Sequence, residues 1–360
     1  MFVTEENNYQ YAENLWKGKP SGRLFWSLNA NQAHLRLNAE QCGYVSEIDF
    51  LTEELGCLIW ATIITPFKTE NTFVETIRKI EGDVTHVEYR SPAGILTETI
   101  QMGQIIKHKT TSPETLKILL ENWRHLAVLP VDTEKQRADC AGLFPAIAGV
   151  DTSSVIQRML QYETGVADFW YLLMDEPRLM EEAMELWQEH LRQKYLIMQK
   201  MPTIGWYQAE NTSTTMISPE YYEQYSMHHI KMFADMASAA GCRSLVHMCG
   251  LLYDLMPLIR QTGINGIHAL TPPETGNVPF EYAYEIMPED LLVMGRFGST
   301  EWIGKSKADI MRRLSEILPH HIYRDHPFML LVTSDEAPFS ADNIRLLRDC
   351  INEYEQEGHL

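Results

Sequence analysis

Short apolar runs alternate with longer segments whose apolar residues recur at helical spacing over most of this chain. Strands that alternate with helices in this way are typical of parallel βαβ units. The predicted strands include 23–28, 142–149, 203–207, 245–249, 264–270, 291–294 and 328–332. The predicted helices include 177–200, 280–286, 305–318 and 341–355, and an acidic lead-in helix over residues 1–20.

The number of predicted strands, about eight, favours a closed (β/α)8 barrel, the TIM barrel, with an N-terminal helical extension. The alternative is an open doubly wound sheet, but no Gly-x-Gly-x-x-Gly follows any predicted strand. We therefore predict one barrel domain over residues 1–360.

One part of the chain departs from this pattern. The alternating segments 84–90 and 95–100 flank Ser91-Pro92-Ala93-Gly94, which predicts a β-hairpin across a turn. We expect this hairpin to be part of an insertion over about residues 60–110.

Composition excludes several classes of function. The formal net charge of −19 argues against nucleic-acid binding, which requires a basic surface. No apolar run is long enough to span a bilayer, and residues 1–8 do not resemble a signal peptide. The six cysteines are scattered and sparse, which indicates reduced thiols. We expect a cytoplasmic monomer or homodimer that acts on a small molecule.

The candidate chemistry lies where predicted strands end, because barrel enzymes gather their functional groups there. His247 and Cys249 are two residues apart on a strand and therefore project to the same side. An imidazole and a thiolate so placed make half of a zinc site. The alternative is that both residues are ordinary core packing.

Other strands also end in, or are followed by, polar or aromatic residues that belong at the same face of a barrel. The candidates for binding substrate are Asn29, Trp206, Tyr207, Tyr253 and Arg296. The candidates for chemistry or metal binding are Glu210, Asn211, His268 and Asp335. For each of them the alternative is a capping, core or surface role.

Three blocks of sequence resemble the uroporphyrinogen decarboxylase superfamily. They are Ser218-Pro219-Glu220-Tyr221-Tyr222, Val246-His247-Met248-Cys249-Gly250, and the ending Ala337-Pro338-Phe339-Ser340-Ala341-Asp342-Asn343-Ile344. The Gly94 hairpin fits the superfamily too, and the resemblance is strongest from about residue 140 onward. It implies a (β/α)8 barrel with its pocket at the carboxyl ends of the strands.

The resemblance implies one of two activities. True decarboxylases of the superfamily carry paired arginines near the N-terminus, whereas this chain has only Arg23 in that region, and Asp335 and Glu336 stand where a His-Gly is expected. The second branch contains zinc-dependent methyltransferases that exchange a methyl group with a corrinoid carried on a partner protein. The His247-x-Cys249 block is similar to that branch, although its later cysteine is missing here.

The second branch is the better match, so we predict zinc held by His247 and Cys249 and completed by Asp335, Glu336, Glu210 or His268. Such a nitrogen- and oxygen-rich site suits an oxygen-bound substrate better than a thiol. Glu210 then serves as a ligand or proton donor and Asn211 orients the substrate. The remaining alternatives are a metal-free barrel that binds or converts another small ligand, and a decarboxylase with a rebuilt pocket.

Overall fold

The structure is a computed structural model and describes residues 5–211 and 213–358. Its strands are β1 (Phe25–Asn29), β2 (Thr62–Ile64), β3 (Phe67–Glu70), β4 (Glu75–Glu81), β5 (Val84–Ser91), β6 (Gly94–Gln101), β7 (Gln104–Lys107), β8 (Ala127–Pro130), β9 (Ala146–Ser153), β10 (Gly205–Ala209), β11 (Arg243–His247), β12 (Gly266–Leu270), β13 (Leu292–Phe297) and β14 (Phe328–Thr333).

The helices surround and connect these strands. They are α1 (Glu5–Trp16), α2 (Gln32–Gln41), α3 (Glu47–Asp49), α4 (Pro113–Arg124), α5 (Glu134–Cys140), α6 (Val155–Gln157), α7 (Val166–Asp175), α8 (Pro177–Met198), α9 (Pro219–Tyr225), α10 (Met227–Ala239), α11 (Met256–Gln261), α12 (Phe280–Ile286), α13 (Ser299–Trp302), α14 (Lys307–Ile317), α15 (His320–Asp325) and α16 (Ala341–Glu357). Residues 1–4 of the predicted lead-in helix lie outside the described residues.

Eight of the strands form one parallel sheet in the order β1-β14-β13-β12-β11-β10-β9-β2. The sheet curls until the residues just before β2 reach β1, where the Leu58 N–H donates to the Trp26 carbonyl at 2.8 Å. The predicted (β/α)8 barrel is confirmed. One strand was missed, because β2 lies inside the segment that we assigned to the insertion and is only three residues long.

Local sequence signals set several helix starts as predicted. The Ser218 hydroxyl accepts a hydrogen bond from the Tyr221 N–H, and Pro219 occupies the first turn of α9. Pro177 does the same at the start of α8. A proline costs nothing there because the first turn has no partner for its missing N–H.

Helix α1 packs against one end of the barrel. Trp16 is buried there together with barrel residues such as Phe25 and Leu245, and its indole N–H donates to the Trp60 carbonyl at 2.9 Å. Gly205, at the start of β10, makes room for the Trp16 ring, which would lie 2.2 Å from any Cβ at that position. The predicted N-terminal extension therefore closes the amino-terminal end of the strands.

The predicted hairpin is present as β5 and β6, joined at Ser91–Gly94. It belongs to a larger insertion, because β4 and β7 extend it to a four-stranded antiparallel sheet and β3 pairs with β8. Helix α4 packs on this sheet, with Ile118 close against Gly94. Among the described residues, no helix has the length and apolar character needed to cross a membrane.

Candidate active site

A cavity of about 390 Å³ lies at the carboxyl ends of the barrel strands. Its lining residues come from β1, β11, β12, β13 and β14 and the loops after them: Asn29, Ala30, His247, Cys249, Gly250, His268, Ala269, Thr275, Arg296, Leu331, Thr333, Ser334, Asp335 and Glu336. A larger cavity of about 840 Å³ lies between the start of β1 and α16. We place the active site in the smaller cavity, because it contains the reactive side chains and barrel chemistry occurs at this face.

The centre of the cavity is a pair of imidazoles from adjacent strands. His247 and His268 are register partners on β11 and β12, and their Nδ1 atoms lie 2.8 Å apart. Burial and the nearby charge of Arg296 lower the pKa of His247 to about 4. Burial, followed by the proximity of His247, holds the pKa of His268 well below its ordinary value. Both rings are therefore neutral at pH 7.

Two aromatic side chains surround the second imidazole. The Trp60 and Tyr207 ring centroids each lie 5.5 Å from that of His268. Burial raises the pKa of Tyr207 to about 12, so its phenol is protonated at neutral pH. These rings exclude water from one side of His268 and so explain why the ring is buried.

The thiol of Cys249 donates a hydrogen bond to Asn211 Oδ1 at 2.6 Å. Burial raises the pKa of this thiol, so it is protonated at neutral pH. The Asn211 backbone N–H is in turn held by Gln157 Oε1 at 2.9 Å, which fixes the loop after β10. Of the predicted catalytic residues, Asn211 thus reaches the cavity through its contact with Cys249.

Glu210, the residue before Asn211, is fully buried. Its backbone N–H donates to the His247 carbonyl at 2.9 Å, and its carboxylate accepts from the Ser226 hydroxyl at 3.4 Å. Glu210 is not among the cavity-lining residues of the described chain. The structure therefore places it as a support for β11 and α10, and does not bring it to the cavity as a ligand or proton donor.

Arg296 and Asp335 form the charged wall of the cavity. Arg296 Nη2 donates to Asp335 Oδ1 at 2.7 Å, while the hydroxyls of Thr333 and Ser299 donate to the same carboxylate at 2.8 and 2.9 Å. Burial alone raises the pKa of Asp335, but these hydrogen bonds and the guanidinium charge outweigh it and lower the pKa to about 2. Asp335 is therefore ionised throughout the neutral range.

The backbone at this point adopts an uncommon conformation. Asp335 and Glu336 have φ values of +49° and +65°, in the left-handed region that favours glycine. Glu336 accepts a hydrogen bond from Asn31 Nδ2 at 2.6 Å, which connects the loop after β14 to the loop after β1. Strained backbone of this kind is concentrated at functional sites, where the surrounding contacts hold it.

The structure separates the predicted substrate-binding residues into two groups. Asn29 and Arg296 line the cavity and Tyr207 packs behind it. Trp206 is fully buried on the other side of the sheet with Tyr195 and Phe233, because neighbouring residues of a strand face opposite ways. Tyr253 is 42% exposed and stacks on Tyr282, so neither it nor Trp206 belongs to the cavity lining.

The predicted metal ligands other than Glu210 meet at the cavity but do not form a metal cluster. Among the described residues, no group of three or more His, Cys, Asp or Glu side chains is arranged to hold an ion. The His247 and His268 Nδ1 atoms are 2.8 Å apart, closer than the ~3.3 Å expected for two nitrogens at 2.0–2.1 Å from one tetrahedral zinc. The Cys249 thiol is hydrogen-bonded to Asn211, and the Asp335 carboxylate is paired with Arg296. This arrangement of donors does not fit zinc.

Sequence reasoning missed two members of the site, Trp60 and Ser299. Trp60 precedes the short strand β2, so its position was hidden inside the predicted insertion. Ser299 reaches the site from the first turn of α13. Asn31, one of the polar residues expected after the first predicted strand, reaches it from the N-cap of α2. A capping signal at Asn31 was readable, but its second bond, to Glu336, depends on a residue 305 positions away.

The protein is a TIM barrel of eight parallel strands, and ionisable side chains line a cavity at the carboxyl ends of those strands, where TIM-barrel enzymes have their active sites. The sequence model of the family described as uroporphyrinogen decarboxylase (URO-D) matches residues 154–353, and this chain belongs to that family. The predicted superfamily is confirmed. No curated protein sequence matches the chain.

Solved structures extend the comparison of the fold. A methyltransferase from Methanosarcina mazei is 12% identical with a TM-score of 0.58, over 96% of this chain and 98% of that chain. A D-psicose 3-epimerase, determined in the presence of D-fructose, is 10% identical with a TM-score of 0.33, over 68% and 82% of the two chains. The first similarity shows that nearly the whole chain follows a fold known from another protein.

Proposed function

We propose that this protein is a methyltransferase that moves a methyl group between a small methylated substrate, of the ether, amine or thiol type, and a corrinoid carried on a partner protein. The observation that carries the proposal is the position of His247 and Cys249, which lie side by side in the cavity of a uroporphyrinogen decarboxylase-family barrel. The similarity of fold to a methyltransferase over nearly the whole of both chains supports it.

The cavity argues against a decarboxylase acting on a tetrapyrrole with many carboxylates. Its volume of about 390 Å³ is at the lower end of the range for small-molecule sites. Arg296 is the one Lys or Arg among the described lining residues, and it is already paired with Asp335. A polyanion would therefore meet Asp335 and Glu336 without compensating cations, and the Coulomb energy would be unfavourable.

The side chains present suit a neutral methylated substrate. The reduced corrinoid supplies the nucleophile that takes the methyl group. When the bond between carbon and heteroatom of a methyl ether or thioether breaks, its electron pair remains on the heteroatom, which then takes up a proton. A methylammonium substrate already carries that proton and leaves as the neutral amine. The protonated Cys249 thiol and an imidazole N–H of the neutral pair His247–His268 are the donors in the cavity.

The test uses free reduced cob(I)alamin in place of the partner protein. The purified chain is incubated with methyl ethers, methylamines or methanethiol, and formation of methylcobalamin is followed by absorbance. We expect turnover with at least one class and a loss of about 100-fold in Cys249→Ala, the size of effect typical of a general acid. Carbon dioxide release from uroporphyrinogen, with no methyl transfer, would instead identify a decarboxylase.

Metal analysis tests the predicted zinc separately. Binding zinc would require the His247–His268 and Cys249–Asn211 hydrogen bonds to open. About one zinc per chain, lost in Cys249→Ala, supports zinc as the Lewis acid. Methyl transfer by a protein without stoichiometric zinc supports the metal-free form, in which the thiol and imidazole donate the proton.

A metal-free barrel that binds a small ligand without transferring methyl groups is the second candidate. The hydrogen bonds of His247 with His268 and of Cys249 with Asn211, which occupy potential metal donors, favour it. Binding of a methylated compound without any turnover, in the presence of both cob(I)alamin and zinc, would support this candidate over the first.

A further inference from the structure

A second cavity of about 390 Å³ lies between the inserted sheet and the barrel helices. Its walls include Tyr89 of β5, Asn122 of α4, and Trp187 and Lys194 of α8. None of its lining residues lines the active-site cavity. Ligand sites occur preferentially at such junctions between structural units.

Three cations face this cavity, each over the face of an aromatic ring. Lys109 Nζ lies 5.3 Å from the Tyr89 ring centroid. Arg158 Cζ and Lys194 Nζ lie 4.8 and 5.6 Å from the ring of Trp187. Contacts of this geometry hold a cation against a ring, so these three side chains give the wall of the cavity a positive charge.

The carboxylates that pair with Lys109 and Arg158 do not line the cavity. Glu163, which is fully buried, is 3.1 Å from Lys109 and 2.5 Å from Arg158. Glu98 is 3.2 Å from Lys109 and accepts a hydrogen bond from the Tyr89 hydroxyl at 2.6 Å. Among the described residues that line the cavity, none is acidic.

Two polar atoms at the cavity have no hydrogen-bond partner among the described residues. They are the acceptor Oδ1 of Asn122, a residue that is 5% exposed, and the donor Nε of Arg158. Folded proteins seldom leave buried polar atoms unsatisfied, because each costs about 1–3 kcal/mol. A ligand that supplies one acceptor and one donor would satisfy both atoms.

We propose that this cavity binds a small aromatic carboxylate that also carries a hydroxyl group. Its carboxylate accepts a hydrogen bond from Arg158 Nε, its ring packs among Tyr89, Trp123 and Trp187, and its hydroxyl donates to Asn122 Oδ1. This site is separate from the barrel mouth and does not depend on the proposed methyl transfer.

The test is titration calorimetry of the full-length protein with 4-hydroxybenzoate at low salt, with tryptophan fluorescence as a second signal. We expect saturable binding, weakened about tenfold in Arg158→Gln, which removes one charged contact of about 1.4 kcal/mol. Arg192→Gln on the exposed face of α8 also breaks an Arg–Glu pair, with Glu189, and should bind as the wild type does.

Ligand analogues keep the test decisive if Arg158→Gln does not fold. On the wild-type protein, neutral 4-hydroxybenzamide should bind about tenfold more weakly than 4-hydroxybenzoate, and benzoate, which lacks the hydroxyl, should also bind more weakly. Equal binding of the amide, or no binding at millimolar concentration, would overturn the proposal. Loss of binding in Arg296→Gln would place the ligand at the barrel mouth and also overturn it.

Discussion

The Nδ1 atoms of His247 and His268 lie 2.8 Å apart on adjacent barrel strands. Both rings are neutral at pH 7, so one Nδ1 must carry a proton and the other must accept it. The ring that donates through Nδ1 has a bare Nε2, whereas the ring that accepts has a protonated Nε2. The pair therefore holds one Nε2 as an acceptor and the other as a donor, a property that neither histidine has alone.

Protonation of this pair should lower stability in mild acid. The folded-state pKa of His247 is about 4, below its ordinary value of 6.5. The unfolded chain therefore binds more protons between these values, and stability falls as pH decreases through that window. The cost reaches about 3 kcal/mol at pH 4, since each pKa unit is worth 1.36 kcal/mol. Urea denaturation of His247→Asn should show a shallower pH dependence than wild type.

The exposed His86 on β5 provides the control for that experiment. His86→Asn should retain the wild-type slope between pH 7 and pH 4.5. An unchanged slope in His247→Asn would mean that the imidazole pair is not held neutral.

Arg296 should depress two pKa values at once. Its positive charge disfavours the imidazolium of His247 and favours the thiolate of Cys249. Arg296→Gln should therefore raise both pKa values. The His247 shift can be followed by NMR, and the Cys249 shift by the pH dependence of iodoacetamide alkylation, with Cys249→Ala identifying the reactive thiol. A fall in either value would contradict the charge relationship.

Asp335 should contribute measurably to stability, although it lies at the surface of the cavity. Asp335→Ala leaves Arg296, Ser299 and Thr333 without their common acceptor, and we expect a loss of about 1–3 kcal/mol in free energy of unfolding. Asp235→Ala breaks an exposed i,i+4 pair with Lys231 and should cost less than about 0.5 kcal/mol.

Replacing Asp335 with glycine distinguishes the cost of lost hydrogen bonds from the cost of backbone strain. Asp335→Gly loses the same contacts but relieves the positive φ of +49°. Urea denaturation should place it between Asp335→Ala and the wild type. A glycine variant less stable than the alanine variant would show that the backbone is not strained there.

Glu163 should hold the inserted sheet against the barrel. Burial raises the pKa of its carboxyl, but the charges of Arg158 and Lys109 lower it below its ordinary value, so the fully buried group is ionised. Glu163→Gln leaves both cations without that charge and should cost about 3–5 kcal/mol in urea denaturation. Glu182→Gln, which removes an exposed partner of Arg124, should cost less than about 1 kcal/mol. Similar losses of stability in the two variants would show that the ion pairs of Glu163 do not hold the inserted sheet against the barrel.

The periodicity of apolar residues was sufficient to predict the barrel architecture but not to predict every strand in it. The long helices α8, α14 and α16 and the strands β12, β13 and β14 were predicted within a few residues, because their apolar faces repeat over many positions. Strand β2 has three residues, too few for a period, and it was absorbed into the insertion. The inserted sheet was found as one hairpin since β4 is exposed along its whole length and has no apolar face.

The sequence by itself determined that strands alternate with helices, that polar residues follow the strands, and that His247 and Cys249 point to one side. These properties depend on neighbours within a few positions. Only the tertiary structure decided that His268 bonds to His247, that Asn211 holds Cys249, and that Trp206 faces away from the cavity. Those outcomes depend on strand register and on contacts between distant residues, where a shift of one position reverses the direction of a side chain.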